Sequence, residues 1–215
     1  MSLAESCGGV VLCGGRSSRM GLAKANLPFG PERLLQRVVG ILGQVVSPIV
    51  VVAAADQQLP PLPEEVLLCR DEREGQGPLE GMYVGLRALG DLAEAAYVTS
   101  SDVPFLQPAF VRHLIANLGD AEIAVPFDDQ HHHPLAAIYR CALAPTIQQL
   151  LEADRRRPFF LFEEVRTHRI PTRDLAVVDP QLRTLTNLNR PEDYLAALLA
   201  ANFTAPPEII AKLNK

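Results

Sequence analysis

The sequence predicts an α/β fold in which a mainly parallel sheet is covered by helices on both faces. Two observations carry this expectation. Short, almost wholly apolar runs rich in Val and Ile alternate with longer segments of helical spacing. The runs also lack the polar alternation of a sheet with one wet face, so they read as strands buried on both sides. Together these give three layers, helix, sheet and helix.

The elements follow in order. Gly9 to Cys13 (GVVLC) is a buried-strand run that opens into a glycine-rich loop. Leu34 to Val46 has helical spacing, weakened by Gly40 and Gly43. Pro48 to Ala55 reads as a second strand and Glu65 to Cys69 as a third. The proline-rich stretch from Gln57 to Glu65 connects them. Pro78 to Leu89 is a helix with proline at its first turn. Tyr97 to Ser100 is a strand leading into Asp102, and Pro108 to Leu118 is a helix. Ile123 to Pro126 and Leu135 to Tyr139 are further strands, followed by a helix from Leu143 to Leu151. Phe159 to Val165 and Arg169 to Pro171 are shorter candidate elements. Leu182 to Leu188 reads as a strand that ends at Asn187 and Asn189, before a helix from Pro191 to about Asn202. The tail from Thr204 reads as one short helix. No repeat or linker divides the chain, so a single domain is expected over 1–203, with a tail at 204–215.

Bulk composition narrows the function. At 48% hydrophobic and 21% charged over 215 residues, the chain has globular proportions. No apolar run reaches the ~18 residues of a spanning helix, and no secretory signal pattern opens the chain. A formal charge of −5 argues against nucleic acid or anionic membrane as a partner. The four cysteines form no CxxC pair and have no histidine at zinc spacing. A cytoplasmic protein without disulfides or structural zinc is the expectation. The distribution of two residue types is more pointed. All 14 glycines lie at or before Gly119, five of them between Gly8 and Gly21. Of the 20 basic residues only three are lysine, and only Lys24 precedes residue 212.

The loop from Gly14 to Gly21 (GGRSSRMG) follows the first strand and precedes Lys24. Glycines there let backbone N–H groups turn inward as an anion nest, Ser17 and Ser18 add hydroxyl donors, and Arg19 and Lys24 add positive charge. A plain glycine turn with solvated arginines is the alternative. The spelling is neither a Walker loop, because Gly15 and Gly21 stand one residue too far apart, nor a dinucleotide fingerprint, because Gly14 and Gly15 are adjacent. The missing fingerprint also excludes a dinucleotide oxidoreductase. Parallel sheets bind ligands beyond the carboxyl ends of their strands, so catalytic groups are expected after Cys13 and after Ser100.

The stretch LCGGRSSRMGLAKANLPFG resembles the nucleotidyltransferase signature LxGGxSxRMGxxK. The later segments CRDEREGQGPLEGM, TSSDVPFL, HPLAAIY and TNLNRPEDY resemble further blocks of the molybdenum-cofactor guanylyltransferases, the MobA-like nucleotidyltransferases. The resemblance runs in order from Gly9 to Tyr194 and implies a Rossmann-like nucleotidyltransferase fold. It also implies transfer of GMP from GTP, with Mg²⁺, to a molybdopterin acceptor, and proteins that supply or receive the cofactor. Leu12, Cys13 and Gly14 would then hold the nucleotide through backbone groups, and Gly15, Arg16, Ser17, Ser18 and Arg19 the β- and γ-phosphates. Lys24 would meet the α-phosphate, Asp71 the nucleoside, and Asp102 the Mg²⁺. Two departures bear on the base: Ala23 stands where the family often has Asp, and Ala53 where some members have a strand-end Asn. Cytidylyl transfer, to molybdopterin or to a sugar or polyol phosphate, stays open as an alternative. So does a nucleotide-binding protein without activity, although Lys24 and Asp102 are both present.

Each candidate has a structural alternative. One carboxylate beside substrate phosphates suits Mg²⁺, yet Asp102 before Val-Pro also suits a turn or helix cap. Asp71 fits a nucleoside contact or a solvated acidic loop. Gly77 and Gly81 fit a helix that approaches the nucleoside closely, or a flexible lead-in to that helix. On this reading residues 8–119 form a nucleotide-binding half and 120–203 an acceptor-binding half. Arg156, within Arg155-Arg156-Arg157, is an acceptor candidate or a cation at a helix end. His133 is an acceptor candidate within a histidine run that otherwise reads as a solvated loop. Asn187 and Asn189 reach toward metal or acceptor, or cap the last helix.

Overall fold

The computed structural model describes residues 3–13, 23–71 and 77–213. Residues 14–22 and 72–76 lie outside the described residues, so the expectations for Gly14, Gly15, Arg16, Ser17, Ser18 and Arg19 do too.

Strand β1 (Cys7–Leu12) is followed by a small hairpin, β2 (Pro28–Phe29) and β3 (Glu32–Arg33), and by helix α1 (Leu34–Leu42). Then come β4 (Ile49–Ala54), β5 (Leu67–Asp71), α2 (Pro78–Leu89), β6 (Ala95–Ser100) and α3 (Pro108–Ala116). The second part holds β7 (Ile123–Asp128), β8 (His131–His132), β9 (Ala136–Arg140), α4 (Ala144–Glu152) and α5 (Pro158–Glu164). It ends with β10 (Thr167–Pro171), α6 (Thr172–Leu175), α7 (Pro191–Ala200) and α8 (Pro207–Leu213). Among the described residues eight strands join one sheet in the order β10-β7-β9-β6-β1-β4-β5, with β8 against β7. The pairs β1–β4, β1–β6, β4–β5 and β7–β10 are parallel, whereas β9 runs antiparallel to β6 and β7. The mainly parallel, doubly covered sheet expected from the apolar runs is therefore what forms.

Alternate residues of each central strand feed the two cores. Val11 and Val51 pack with Leu35, Val38, Phe110 and Leu114 under α1 and α3. Val10, Val50 and Val52 pack with Leu79, Met82, Leu86 and Ile147 under α2 and α4. Helix α2 lies close on β1 because its contact stripe is glycine: a Cβ at Gly85 would stand 2.4 Å from Val10 Cγ1. We expect Gly85→Ala to overpack this contact and cost about 1–3 kcal/mol, read as a lower urea midpoint at unchanged m value.

A third, smaller cluster fixes the chain beyond the sheet. Leu27, Phe29 and Leu34 enclose Leu188, Tyr194 and Leu198. The Tyr194 hydroxyl donates to the Pro28 carbonyl at 2.6 Å, and the Phe29 ring meets Phe105 and Phe203 edge-on. The segment before α7 is thus clamped to the hairpin that follows Lys24.

Four element expectations shift. Helix α1 stops at Leu42, four residues before Val46, because two glycines weaken its second half and Pro48 follows. Strand β5 runs two residues beyond Cys69, to Asp71. The segment from Phe159 is helix α5. Leu182 to Leu188 is no strand. Leu182 adopts a left-handed conformation, and the Asp179 carboxylate accepts from the amides of Arg183 and Thr184 at 3.1 and 2.8 Å. That buried carboxylate draws the chain into a turn. No helix among the described residues is long and apolar enough to cross a membrane.

Candidate active site

The carboxyl ends of β1, β4, β5 and β6 lie along one edge, set by the parallel register that pairs Leu12 with Val52 and Ser100, and Ala54 with Asp71. The Ser101 amide continues the ladder by donating to the Leu12 carbonyl at 3.0 Å. Asp102 therefore emerges beside the carboxyl end of β1.

Asp102 is buried and its carboxylate is fully engaged. Oδ1 accepts from the Ser100 hydroxyl at 2.5 Å and from the Asn187 amide at 3.3 Å. Oδ2 accepts from the Lys24 ammonium at 2.7 Å. Lys24 in turn donates to Asn189 Oδ1 at 3.2 Å. These five side chains come from three distant stretches of sequence, and local structure sets them in place. Lys24 opens a single 3₁₀ turn, closed by the bond from the Leu27 amide to its own carbonyl at 3.0 Å. Asn187 and Asn189 flank Leu188, whose side chain is fully buried and whose amide donates to the Asp102 carbonyl at 3.0 Å. With Leu188 turned inward, the extended chain turns its neighbours outward, to Asp102 and Lys24. Asn189 does not cap α7: that position is Arg190, and the Asp193 carboxylate accepts from the Asn189 and Arg190 amides.

The pair is an ammonium and a carboxylate with side chains 19% and 10% exposed. In such a place each charge depends on the other, because removing one strands its partner in a poorly hydrated site. A substrate that approaches with its own negative charge offers Lys24 a second counter-ion. That is what a phosphate-transfer site needs from its cation.

Next to Asp102 the β1 end is thoroughly tied. Cys13 is buried, and burial pushes its thiol up to about 12, so it stays protonated and supplies no thiolate nucleophile. Its amide donates to the Val52 carbonyl at 2.8 Å, and its carbonyl accepts from Gln57 Nε2 at 3.1 Å. Asp71 ends β5 in register with Ala54. Gly77 caps α2 with φ +79°, a left-handed conformation that explains glycine there. Gly81 faces β1, since a Cβ on it would lie 3.2 Å from the Leu12 side chain. Its space is used for packing of the helix on the strand.

The remaining acceptor candidates are not joined to this group by any hydrogen bond of their own. The His133 ring pairs with Asp128 at 3.1 Å inside the β7–β8 hairpin, and its amide donates to Pro126. His132 packs against Phe127 and Phe162 and accepts from Arg169 Nε at 2.9 Å. Burial, and then the Arg169 charge, hold its pKa below the usual imidazole value, which matches that acceptor role. Arg156 pairs with Asp154 at 2.6 Å in an exposed turn, and its carbonyl lies 3.5 Å from the Cβ position of Gly77. That turn stands at the start of α2, on the nucleotide side of the expected division. Among the described residues no three His, Cys, Asp or Glu side chains cluster as a metal-ligand set.

Gln57 and Arg70, which bond at the ends of β1 and β4, are not among the residues expected from the sequence. Nothing in the local pattern of AADQQLP marks Gln57; its bond to the Cys13 carbonyl exists only once β1 and β4 are side by side.

A doubly covered parallel sheet with a glycine-rich loop after its first strand, and a lysine–aspartate pair at its carboxyl edge, defines a nucleotidyltransferase. The match is specific: a family model, the MobA-like NTP transferase domain, covers residues 9–169, and the chain belongs to that family. A probable molybdenum cofactor guanylyltransferase of Mycobacterium ulcerans (strain Agy99) is 40% identical over 198 residues, 90% of this chain and 94% of the relative. The solved structure of molybdopterin-guanine dinucleotide biosynthesis protein A from Archaeoglobus fulgidus superposes with a TM-score of 0.75 at 21% identity, covering 91% of this chain and 98% of the other. The fold is shared more widely. The 2-C-methyl-D-erythritol 4-phosphate cytidylyltransferase of Thermus thermophilus superposes with a TM-score of 0.64 at 13% identity, over 90% of this chain and 98% of the other.

Proposed function

We propose that this protein transfers GMP from GTP to the molybdenum (molybdopterin) cofactor, releasing pyrophosphate and forming a guanine dinucleotide cofactor. The observation that carries the reading is the convergence of Lys24, Asp102, Asn187 and Asn189 on one point of the sheet edge. The name of the 40% identical relative supports the base and the acceptor.

The chemistry is an in-line attack. An oxygen of the acceptor's phosphate monoester forms a bond to the α-phosphorus of GTP, and the bond from that phosphorus to the bridging oxygen breaks. A phosphate monoester is already ionised at neutral pH, so no general base is required. The work left to the protein is positioning and charge neutralisation. Leu12, Cys13 and Gly14 hold the nucleotide by backbone groups, with Asp71 at the nucleoside and Gly77 and Gly81 setting α2 against it. Gly15, Arg16, Ser17, Ser18 and Arg19 hold the departing phosphates. Lys24 turns from Asp102 to the charge that grows on the α-phosphate.

Asp102 suits Mg²⁺ as a single protein carboxylate, oriented by Ser100 and Asn187, because Mg²⁺ keeps waters and takes its other ligands from phosphates. Bound there, the ion supplies charge neutralisation at the reacting phosphate. Residues 8–119 serve the nucleotide and 120–203 the acceptor, with Asn187 and Asn189 beside the reacting groups and His133 on the acceptor side, whereas Arg156, beside the start of α2, faces the nucleotide half. Proteins that supply or receive the cofactor complete the expected partners, in a cytoplasmic setting.

Ala53 favours keeping cytidylyl transfer as a second reading: it is fully buried and offers the base no polar group. Thermal-shift titration with GTP, CTP, ATP and UTP in the presence of Mg²⁺ separates the two, since the preferred ligand raises Tm by mass action. GTP is expected to give the largest shift; a shift with CTP alone contradicts the guanylyl assignment.

A further inference from the structure

We infer that Gln57 is a positioning residue for the nucleotide, holding the end of β1 at the height from which its backbone meets the base and sugar. The inference rests on the reading of Leu12 and Cys13 as nucleotide contacts, and it deepens that reading.

The side-chain amide of Gln57 spans two strands. Its Nε2 donates to the Cys13 carbonyl at 3.1 Å, and its Oε1 accepts from the Ala54 amide at 3.3 Å. The residue is held in turn by its own backbone. Its amide donates to the Ala54 carbonyl at 3.1 Å, and its carbonyl accepts from Arg70 Nη1 at 2.7 Å. The same Arg70 nitrogen donates to the Ala54 carbonyl at 2.9 Å. A brace therefore runs from β5 through the turn after β4 to the residue that ends the β1 run. Cys13 is the point at which the chain leaves the sheet for the loop, where ladder bonding stops and where its carbonyl needs a partner.

Position 53 cannot do this work. Ala53 is fully buried and packs into the core beneath α1 and α3. The polar group nearest in sequence that reaches the β1 end is Gln57, which is half-buried and faces the sheet edge rather than the core. Loss of one neutral hydrogen bond that holds a binding backbone is expected to weaken nucleotide affinity about five- to tenfold.

The test compares the wild type with Gln57→Met, which keeps length and volume without the amide, and with Gln57→Ala. Steady-state kinetics with GTP, Mg²⁺ and molybdopterin are expected to show KM for GTP raised about five- to tenfold in both variants. Turnover and the KM for molybdopterin should stay within about threefold. Direct calorimetric titration with GTP should give the same ratio, and thermal melts report whether each variant is folded. A lower Tm with KM for GTP unchanged assigns Gln57 to stability alone and overturns the inference, while the nucleotide site stands. A wild type that binds none of the four nucleotides overturns the inference together with the reading beneath it.

Discussion

Lys24→Ala is expected to cut turnover by at least about 100-fold. The ammonium stands 2.7 Å from Asp102 and is steadied by Asn189 at 3.2 Å, so its charge is already placed at the point where Asp102 meets the loop-bearing end of β1. No other lysine precedes residue 212, and the next basic residue along the chain, Arg33, donates to the Asn26 carbonyl. Among the described residues Lys24 is the cation paired with Asp102, and no second one stands ready to replace the lost charge. Lys24→Arg should recover only part of the activity. A planar guanidinium is broader than an ammonium and would have to share the space between Asp102 and Asn189. Because Asp102 is buried, removing Lys24 also strands a charge, and a fall in Tm should accompany the loss of rate. Initial-rate measurements at saturating GTP and acceptor, on protein shown by its melt to be folded, separate the two effects. Near-wild-type turnover in Lys24→Ala removes this residue from the chemistry.

Asp102→Asn should be as damaging to turnover, again by about 100-fold or more, with a fall in Tm beside it because the Lys24 ammonium loses its counter-ion. The amide matches the carboxylate in shape, and its oxygen can still accept from the Ser100 hydroxyl. What it lacks is the negative charge that holds Lys24 and suits a divalent cation. The single variants act on one charge-paired unit, so the double variant Lys24→Ala/Asp102→Asn should be far less impaired than the product of the two losses. Full multiplicativity, measured as kcat/KM for all four proteins, contradicts the shared role.

The fold was legible where strands are fully buried. GVVLC, PIVVVAAA and YVTS carry no polar alternation, and they became the central parallel strands β1, β4 and β6. The reading failed where a single tertiary bond decides the outcome. Leu182 to Leu188 reads as a strand ahead of the last helix, but the Asp179 carboxylate captures two of its amides. The site was legible for a similar reason in reverse. Lys24, Asp102, Asn187 and Asn189 each sit in short polar motifs next to apolar runs, and the fold brings them together across 165 residues of separation between Lys24 and Asn189. Gln57 carries no such mark: its bonds to Ala54 are local, but the Cys13 carbonyl its donor meets is remote until β1 and β4 pair. Gly81 was legible as a position of close approach, yet the partner the structure places there is Leu12.

The proposed activity is transfer of a guanylyl group onto the molybdenum cofactor. Incubation of the purified wild type with GTP labelled at the α-phosphorus, Mg²⁺ and molybdopterin tests it most directly, with the product separated by chromatography. Label recovered in a pterin dinucleotide, with one pyrophosphate released for each, is the expected result. Label transferred from CTP but not from GTP, or no acceptor-dependent pyrophosphate release from GTP, contradicts it.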